Sequence, residues 1–255
     1  MSAPTRPSPT ALPDDLTTCA RDVVEQIDQR GIACLESAVD PQWLARAREY
    51  ARAAASEVHE AMLAGLDEDG PSFVGELAND PRLAELFDRV ATEGHPHGDQ
   101  RDRRLECGVR IVSGPDALDK PLWFHYDASV VTMVIPIDIP DGEPGQSGEL
   151  VLYPNRRPFR KFAAHNVAEK SITQTDAYQR RFLRKTDVTR DAEIVAFTPG
   201  NAYLFWGYRS YHATMPCPPG STRITFIVHY RDAHFGSRLL QLAKAAYRHT
   251  RAKSS

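Results

Sequence analysis

The chain lacks the features of a membrane-spanning or disulfide-stabilised protein. No run among its 255 residues approaches the roughly 20 apolar residues that a membrane span requires. The N-terminus lacks the basic and then apolar segments of a secretory signal. The four cysteines form no CxxC pair and show no spacing typical of a disulfide framework. We therefore expect a soluble cytoplasmic protein with reduced thiols.

Neither sign of charge is in large excess. The formal net charge is −3, from 31 Lys and Arg against 34 Asp and Glu, so overall charge does not favour nucleic acid or an anionic membrane as a partner. Hydrophobic residues make up 42% of the chain and charged residues 25%, which is ordinary for a globular protein. We expect a small-molecule partner, no nucleic acid and no membrane, and we leave the oligomeric state open.

The N-terminal part has helical patterns. Residues 1–14 hold four prolines and few large apolar groups, which predicts a disordered leader. Aspartates at 14, 15 and 40 are good helix caps, and a proline follows the last of them. We predict a short strand over Ile32–Leu35. We also predict helices from a cap at Asp14 or Asp15 to Arg30, from Pro41 to about Leu66 and over Pro81–Val90.

From Leu105 onward the pattern becomes one of short extended runs separated by turns rich in Gly and Pro. This favours a jelly roll or barrel. The expected strands cover the alternation around Val109 and Ile111, then Trp123–Ile139, Glu149–Tyr153, Glu193–Phe197, Ala202–Trp206 and Thr222–Tyr230. A last helix is expected over Ser237–His249. We predict an α+β fold with a mainly β core and N-terminal helices packed outside it, as a single domain over residues 15–255.

A basic insert covers about residues 156–190, between two predicted strands. It contains ten Lys and Arg against three Asp and Glu. One interpretation is a solvated, partly helical loop. The other is a lid that meets an anionic substrate such as a carboxylate, a phosphate or a carrier thioester, because long loops within compact domains are often functional and arginine suits such groups.

Three residues have the types and order of an iron site. Side chains alternate along a strand, so His125 and Asp127 project to the same face, and His212 follows 85 residues after Asp127. Two histidines and one carboxylate occupy one face of an octahedral Fe(II) and leave three positions open for O2 chemistry. A lone His-x-Asp triplet also arises by chance, and His212 alone is equally typical of a hydrogen-bonded histidine at a barrel rim.

An arginine on an apolar strand adds a second indication. In Thr222–Tyr230, period-two alternation places Arg223, Thr225 and His229 on one face. A buried arginine is unfavourable unless an anion pairs with it. A carboxylate ligand could be bound by Arg223 in bidentate fashion, with the Thr225 hydroxyl as a further donor. The alternative is a structural arginine that pairs with a carboxylate of the protein, and His229 either supports the site or bonds only to a backbone group.

These segments resemble the Fe(II)/2-oxoglutarate-dependent dioxygenase superfamily, and most of all its phytanoyl-CoA dioxygenase-like branch. The resemblance spans roughly residues 20–235. It is carried by Trp123–Asp127, Pro199–His212, Thr222–Thr225 and an opening strand and helix at Gly31–Leu35 and Asp40–Leu44. It implies a double-stranded β-helix, that is, a jelly-roll, cupin-like barrel.

By position, the resemblance implies that His125, Asp127 and His212 bind Fe(II), and that Arg223, assisted by Thr225, holds the distal carboxylate of 2-oxoglutarate. The reaction implied consumes O2 and couples oxidative decarboxylation of 2-oxoglutarate to hydroxylation, or a related C–H oxidation, of a substrate. The basic insert, and not the resemblance, leads us to expect that this substrate is a small, acidic or carrier-linked metabolite. Two other hypotheses stay open. One is a cupin-like metal enzyme that does not use 2-oxoglutarate, and the other is a binding barrel that uses the basic insert as its contact surface.

Overall fold

The computed structural model describes residues 8–55, 60–64, 72–96, 98–113, 120–160 and 162–237. Within these ranges the helices are α1 Leu16–Arg30, α2 Pro41–Ala55, α3 Ser72–Ala78, α4 Pro81–Gly94, α5 Ala163–Thr173, α6 Asp176–Lys185 and α7 Val188–Asp191. The strands are β1 Ala33–Leu35, β2 Glu60–Ala64, β3 Leu105–Ser113, β4 Ser129–Asp138, β5 Leu150–Tyr153, β6 Glu193–Val195, β7 Ala202–Phe205, β8 Tyr211–Thr214 and β9 Thr222–Asp232. No helix in these ranges is long and apolar enough to cross a membrane.

Two antiparallel sheets form the core of the fold. The larger has the strand order β1-β7-β4-β9-β3-β2, and the smaller has the order β6-β5-β8. Alternate residues of the larger sheet form one apolar cluster with α1 to α4, while Val134, Leu150, Leu152 and Phe205 join the two sheets in another. The mainly β core with N-terminal helices outside is therefore confirmed, as two facing sheets of the jelly-roll type.

Aspartate side chains cap the starts of two of the N-terminal helices. The side chain of Asp15 accepts hydrogen bonds from the backbone of Thr17 and Thr18, and α1 ends where Gly31 adopts a left-handed φ of 86°. The side chain of Asp80 caps α4 in the same way, with proline in the first turn. Both helices were predicted, and α4 extends four residues beyond Val90 to Gly94.

The prediction of one helix from Pro41 to Leu66 is wrong. Helix α2 ends at Ala55, and residues 60–64 form β2, which pairs antiparallel with β3 from Glu60↔Val112 to Ala64↔Gly108. Alanine favours a helix locally, but pairing with the edge of a large sheet outweighs that preference. The short helix α3 and the strand β8 were not predicted.

The chain ahead of α1 is partly packed. Residues 8–14, predicted to belong to a disordered leader, contact the body of the protein: Thr10 pairs with Val39 and its hydroxyl donates to Asp80 at 2.6 Å, and Leu12 is buried. Residues 1–7 lie outside the described part, as does nearly all of the helix predicted over Ser237–His249.

The basic insert contains three helices, α5 to α7, between β5 and β6. Arg157 is buried between the rings of Tyr126 and Tyr208, and its Nη1 forms an ion pair with Glu169. In contrast, Arg180 and Arg181 are exposed on α6. Part of the basic charge therefore fixes the insert to the barrel, and the rest faces outward.

Candidate metal centre

The segment that carries His125 and Asp127 is extended but does not continue β4. The predicted strand Trp123–Ile139 begins only at Ser129. His125 instead pairs across to β8. Its N–H donates to the carbonyl of His212 at 2.9 Å, and its carbonyl accepts from the N–H of His212 at 3.0 Å. The N–H of Asp127 donates to the carbonyl of Gly207 at 3.0 Å. The two sheets thus meet at this segment.

The three predicted ligands lie together. Asp127 Oδ1 is 3.7 Å from His125 Nε2, and Asp127 Oδ2 is 3.5 Å from His212 Nε2. One ligand atom from each of these residues lies within 4.8 Å of the others, and they form a possible metal-binding group within the described ranges. Adjacent ligands about 2.1 Å from an octahedral metal are about 3 Å apart, so a small inward shift would close this set on an ion.

Both histidine rings are oriented for this role. Nδ1 of His125 is 3.2 Å from the carbonyl of Trp123, and Nδ1 of His212 is 3.0 Å from the carbonyl of Ser210. A carbonyl can only accept, so each Nδ1 carries the proton and each Nε2 presents its lone pair toward Asp127. Backbone carbonyls commonly fix metal-binding histidines in this way.

The protonation states also suit a metal. Burial, together with the positive charge of the neighbouring His212, lowers the pKa of His125 to about 4, so its ring is neutral at pH 7. Burial alone would raise the pKa of Asp127, but the three imidazoles of His212, His229 and His125 outweigh it and hold that pKa well below its usual range. The site therefore combines a neutral His125 imidazole with an ionised Asp127 carboxylate at neutral pH.

Thr132 orients the Asp127 carboxylate, and Gly207 leaves room for it. Thr132 donates its hydroxyl proton to Asp127 Oδ2 at 2.6 Å. Gly207 lies so close that a Cβ there would be 2.1 Å from Thr132 Oγ1 and 2.6 Å from Asp127 Oδ2. Neither residue was predicted, because the sequence around each does not reveal the contact.

Arg223 lies on the inner face of β9, as predicted. Only 3% of it is exposed. Its Nε donates to the carbonyl of Gly148 at 2.8 Å, and Nη1 is 3.3 Å from Thr225 Oγ1. Gly148 has a φ of 70°, and a Cβ there would be 2.4 Å from Arg223 Cδ, so only glycine fits at this approach.

A second arginine lies on the same inner wall. Arg110 pairs with Thr225 in the β3–β9 register, and its Nη1 reaches Thr214 Oγ1 at 3.4 Å. Its positive charge contributes to the low pKa of His125. The position of Arg110 opposite Thr225 favours a role in the pocket over one in packing.

Three other aromatic residues make structural contacts. Trp206 is buried and donates to Asp28 at 2.8 Å, Tyr153 packs against Phe124 at 5.5 Å between ring centroids, and His95 stacks on Phe159 at 3.8 Å. His97 lies outside the described residues. The iron-type cluster is thus separate from these aromatic contacts.

Comparisons with known proteins bear on the fold. No family model matches the chain, and no curated protein matches it. Solved structures do. The non-haem α-ketoglutarate-dependent epimerase SnoN from nogalamycin biosynthesis superposes with a TM-score of 0.58 at 13% identity, covering 85% of this chain and 84% of that chain.

Two further structures agree. EvdO2 from Micromonospora carbonacea var. aurantiaca has a TM-score of 0.53 at 17% identity, covering 88% of this chain and 93% of its own. A prolyl hydroxylase from Trichoplax adhaerens, solved with a hypoxia-inducible-factor peptide, has a TM-score of 0.55 at 14% identity, covering 85% and 90%. The chain therefore has the double-stranded β-helix fold of 2-oxoglutarate oxygenases, and its placement in the phytanoyl-CoA dioxygenase-like branch stays a prediction.

Proposed function

We propose that this protein is a non-haem Fe(II)- and 2-oxoglutarate-dependent oxygenase. It would couple oxidative decarboxylation of 2-oxoglutarate to hydroxylation, or a related C–H oxidation, of a small metabolite. The observation that carries this proposal is the convergence of two imidazole Nε2 atoms and one carboxylate, from His125, His212 and Asp127, where the two sheets meet. The shared fold supports it, since SnoN is described as α-ketoglutarate-dependent and EvdO2 as complexed with 2-oxoglutarate.

Each of the three residues has a distinct task. The two histidines would bind Fe(II) through Nε2, with their tautomers fixed by the carbonyls of Trp123 and Ser210. Asp127 would supply one negative charge against the two of the metal. Three protein ligands leave the remaining octahedral positions for the co-substrate and O2, and bound iron would supply the oxidising chemistry.

Arg223 is assigned to the distal carboxylate of 2-oxoglutarate. Its guanidinium is buried, so a charge-assisted hydrogen bond there is weakly screened and strong. The bond from Nε to the carbonyl of Gly148 fixes the plane of the guanidinium, and Thr225 adds a hydroxyl next to it. Rigid placement of donors in this way favours a planar carboxylate over other anions.

The test is an anaerobic titration of metal-free protein with Fe(II) and 2-oxoglutarate, followed by the weak visible metal-to-ligand charge-transfer band. We expect a band in the wild type, no band in Asp127→Ala, and a band in Arg223→Ala only at much higher 2-oxoglutarate. Arg21→Ala, on the exposed side of α1, should behave as wild type. Absence of iron binding by the wild type would overturn the enzyme proposal.

A second candidate, a metal enzyme of this fold that does not use 2-oxoglutarate, is favoured by one observation. Arg223 already has partners within the protein, namely the carbonyl of Gly148 and the hydroxyl of Thr225. If that is the whole role of Arg223, iron will bind without the charge-transfer band, and no succinate will form from 2-oxoglutarate in air. Succinate production that requires Fe(II) and Arg223 would exclude this candidate.

We further propose that the prime substrate is acidic. Arg180 and Arg181 are exposed on α6, and this helix packs through Phe182 against Phe124, which adjoins His125. Replacing both arginines with glutamate should raise KM for the true substrate and leave the Fe(II) affinity unchanged. An unchanged KM would show that the exposed charge does not meet the substrate.

A further inference from the structure

Three polar side chains form a hydrogen-bonded cluster next to Asp127. Ser129 and Thr132 lie at the start of β4, and His229 lies directly opposite Thr132 on β9. The Oγ atoms of Ser129 and Thr132 are 3.1 Å apart. Nδ1 of His229 is 3.0 Å from Ser129 Oγ and 3.2 Å from Thr132 Oγ1. Three atoms are thus in mutual contact, and one of them, Thr132 Oγ1, is hydrogen-bonded to Asp127 Oδ2.

The protons of this cluster can be assigned by counting donors. Thr132 has a single hydroxyl proton, which it donates to Asp127 Oδ2. Its oxygen can therefore only accept from Ser129 and His229. Both contacts to Thr132 are hydrogen bonds only if the serine hydroxyl and the imidazole Nδ1–H point toward it. In that arrangement His229 is the Nδ1–H tautomer, the protons of Ser129 and His229 point to Thr132, and the proton of Thr132 points to Asp127.

The cluster is also built on rigid elements. Its members lie on two neighbouring strands of the larger sheet, whose register places His229 opposite Thr132, and sites on strands hold geometry better than sites on loops. Ser129 and Thr132 are buried. The side chain of His229 is 35% exposed and lines a cavity of about 200 Å³ beside Asp127. The contacts of its ring with Ser129 and Thr132 are made through Nδ1.

We propose that His229 is a positioning residue that acts through Thr132, with Ser129, to fix the Asp127 carboxylate in the orientation that binds the metal. With Oδ2 bonded to Thr132, the carboxylate cannot rotate freely between one-oxygen and two-oxygen coordination. His229 itself is outside the possible metal-binding group of His125, Asp127 and His212, and its Nδ1 is 3.8 Å from Asp127 Oδ2. This inference rests on the proposed iron site and adds residues that hold it.

Asparagine and glutamine each reproduce one of the two N–H positions of a histidine ring, so substitutions of His229 by these residues can show which nitrogen matters. Asparagine places an N–H near the position of imidazole Nδ1, glutamine places one near Nε2, and phenylalanine keeps a ring without either. His229→Asn should therefore retain Fe(II) affinity close to wild type. His229→Phe, His229→Gln and Thr132→Val should raise the Kd for Fe(II) about 10- to 100-fold, the usual effect of removing a hydrogen bond behind a metal ligand.

The measurements are anaerobic Fe(II) titrations and the visible absorption of Co(II)-substituted protein, which reports on coordination number and does not depend on turnover. Thermal unfolding of each metal-free variant checks that it is folded. His165→Phe, on the exposed side of α5, is the matched control for loss of a histidine. If His229→Phe does not fold, Thr132→Val and the amide pair still decide the question.

The outcomes separate the two proposals. Wild-type Fe(II) affinity and an unchanged Co(II) spectrum in His229→Phe and Thr132→Val would overturn the positioning role while the iron site stands. Retention in His229→Gln with loss in His229→Asn would also overturn it, because the important atom would then be Nε2. If wild type binds neither metal, the iron site and this inference fail together.

Discussion

At the scale of single residues, Gly207 should be a sensitive position for the proposed metal site. A Cβ there would lie 2.1 Å from Thr132 Oγ1 and 2.6 Å from Asp127 Oδ2, both impossible as contacts. Gly207→Ala must therefore displace the carboxylate or the hydroxyl that holds it. We expect the Kd for Fe(II), measured by anaerobic titration, to rise about 10- to 100-fold.

Gly75 in α3 offers the matched control. A Cβ there would meet only the side-chain nitrogen of Asn79, at 3.9 Å. Alanine in a helix interior is favoured over glycine by about 0.5–1 kcal/mol, so Gly75→Ala should be neutral or slightly stabilising and should leave Fe(II) affinity unchanged. Equal Fe(II) affinities in the two variants would contradict the close fit at Gly207.

The sequence predicted those site residues whose chemistry can be read from type and alternation. His125 and Asp127 share a face because they are two residues apart, and Arg223 is conspicuous as a charge on an apolar strand. Thr132 and Gly207 are neither charged nor unusual in their local sequence. Their importance comes from contacts with Asp127 across the bend at 126–128 and across the sheets, which no local pattern encodes.

At the scale of elements, one glutamine joins the helical insert to the metal-binding segment. Gln179 of α6 is buried. Its Nε2 donates to the carbonyl of Phe124 at 2.7 Å, and its Oε1 accepts from the Phe124 N–H at 3.1 Å. The same Nε2 contacts the carbonyl of Thr173 and the hydroxyl of Tyr211. Through this side chain, helix α6 pairs with both backbone groups of Phe124, next to His125, as a neighbouring strand would.

Removal of this side chain should destabilise the protein and loosen the site. Gln179→Ala leaves buried backbone groups of Phe124 unpaired, which costs about 1–3 kcal/mol. We expect that loss in the free energy of unfolding by chemical denaturation, together with weaker Fe(II) binding. Gln29→Ala removes only an exposed bond to Glu25 on α1 and should have little effect. A destabilisation no larger than that of Gln29→Ala would argue against the connection.

Helices and strands were predicted correctly where the local sequence pattern favours the same structure as the contacts with the rest of the chain. Asp15 and Gly31 bound α1 at both ends, and a stretch of β-branched residues marks β4. The region after Ala55 was mispredicted because the alternative, β2, depends on an edge of β3 that lies about 50 residues further along. Strand β8 was missed because it is only four residues long and follows a turn.

At the scale of the whole molecule, the site lies where the two sheets join. Asp127 lies two residues before β4 of the larger sheet, His212 is in β8 of the smaller one, and His125 bridges to His212. A jelly roll could be predicted from the number of short strands and turns. The two sheets pack face to face through apolar residues such as Val134 and Leu152. These residues are distant from each other in sequence, so the packing could not be predicted from local patterns.

Because these ligands belong to both sheets, a bound metal should connect the two sheets. The unfolded chain does not bring the ligands together, so the metal should bind only the folded state and stabilise it. A ligand that binds only the folded state at 100 times its Kd adds about 2.7 kcal/mol to the free energy of unfolding. For a chain of this size, that raises the unfolding temperature by about 5–10 °C. Anaerobic thermal unfolding with and without Fe(II) should show this increase, and a chelator should reverse it.

Asp127→Ala provides the control for that experiment. Without the carboxylate, only two of the three proposed ligands remain, and Fe(II) at the same concentration should not change the unfolding temperature. The Asp127→Ala substitution also removes the hydrogen bond from Thr132 to the carboxylate. In the absence of metal, this variant should therefore lose at most about 1.5–3 kcal/mol of unfolding free energy relative to wild type, the contribution of a hydrogen bond to a charged group. If Fe(II) stabilised this variant as strongly as wild type, the metal would bind elsewhere, and the junction of the two sheets would not be the iron site.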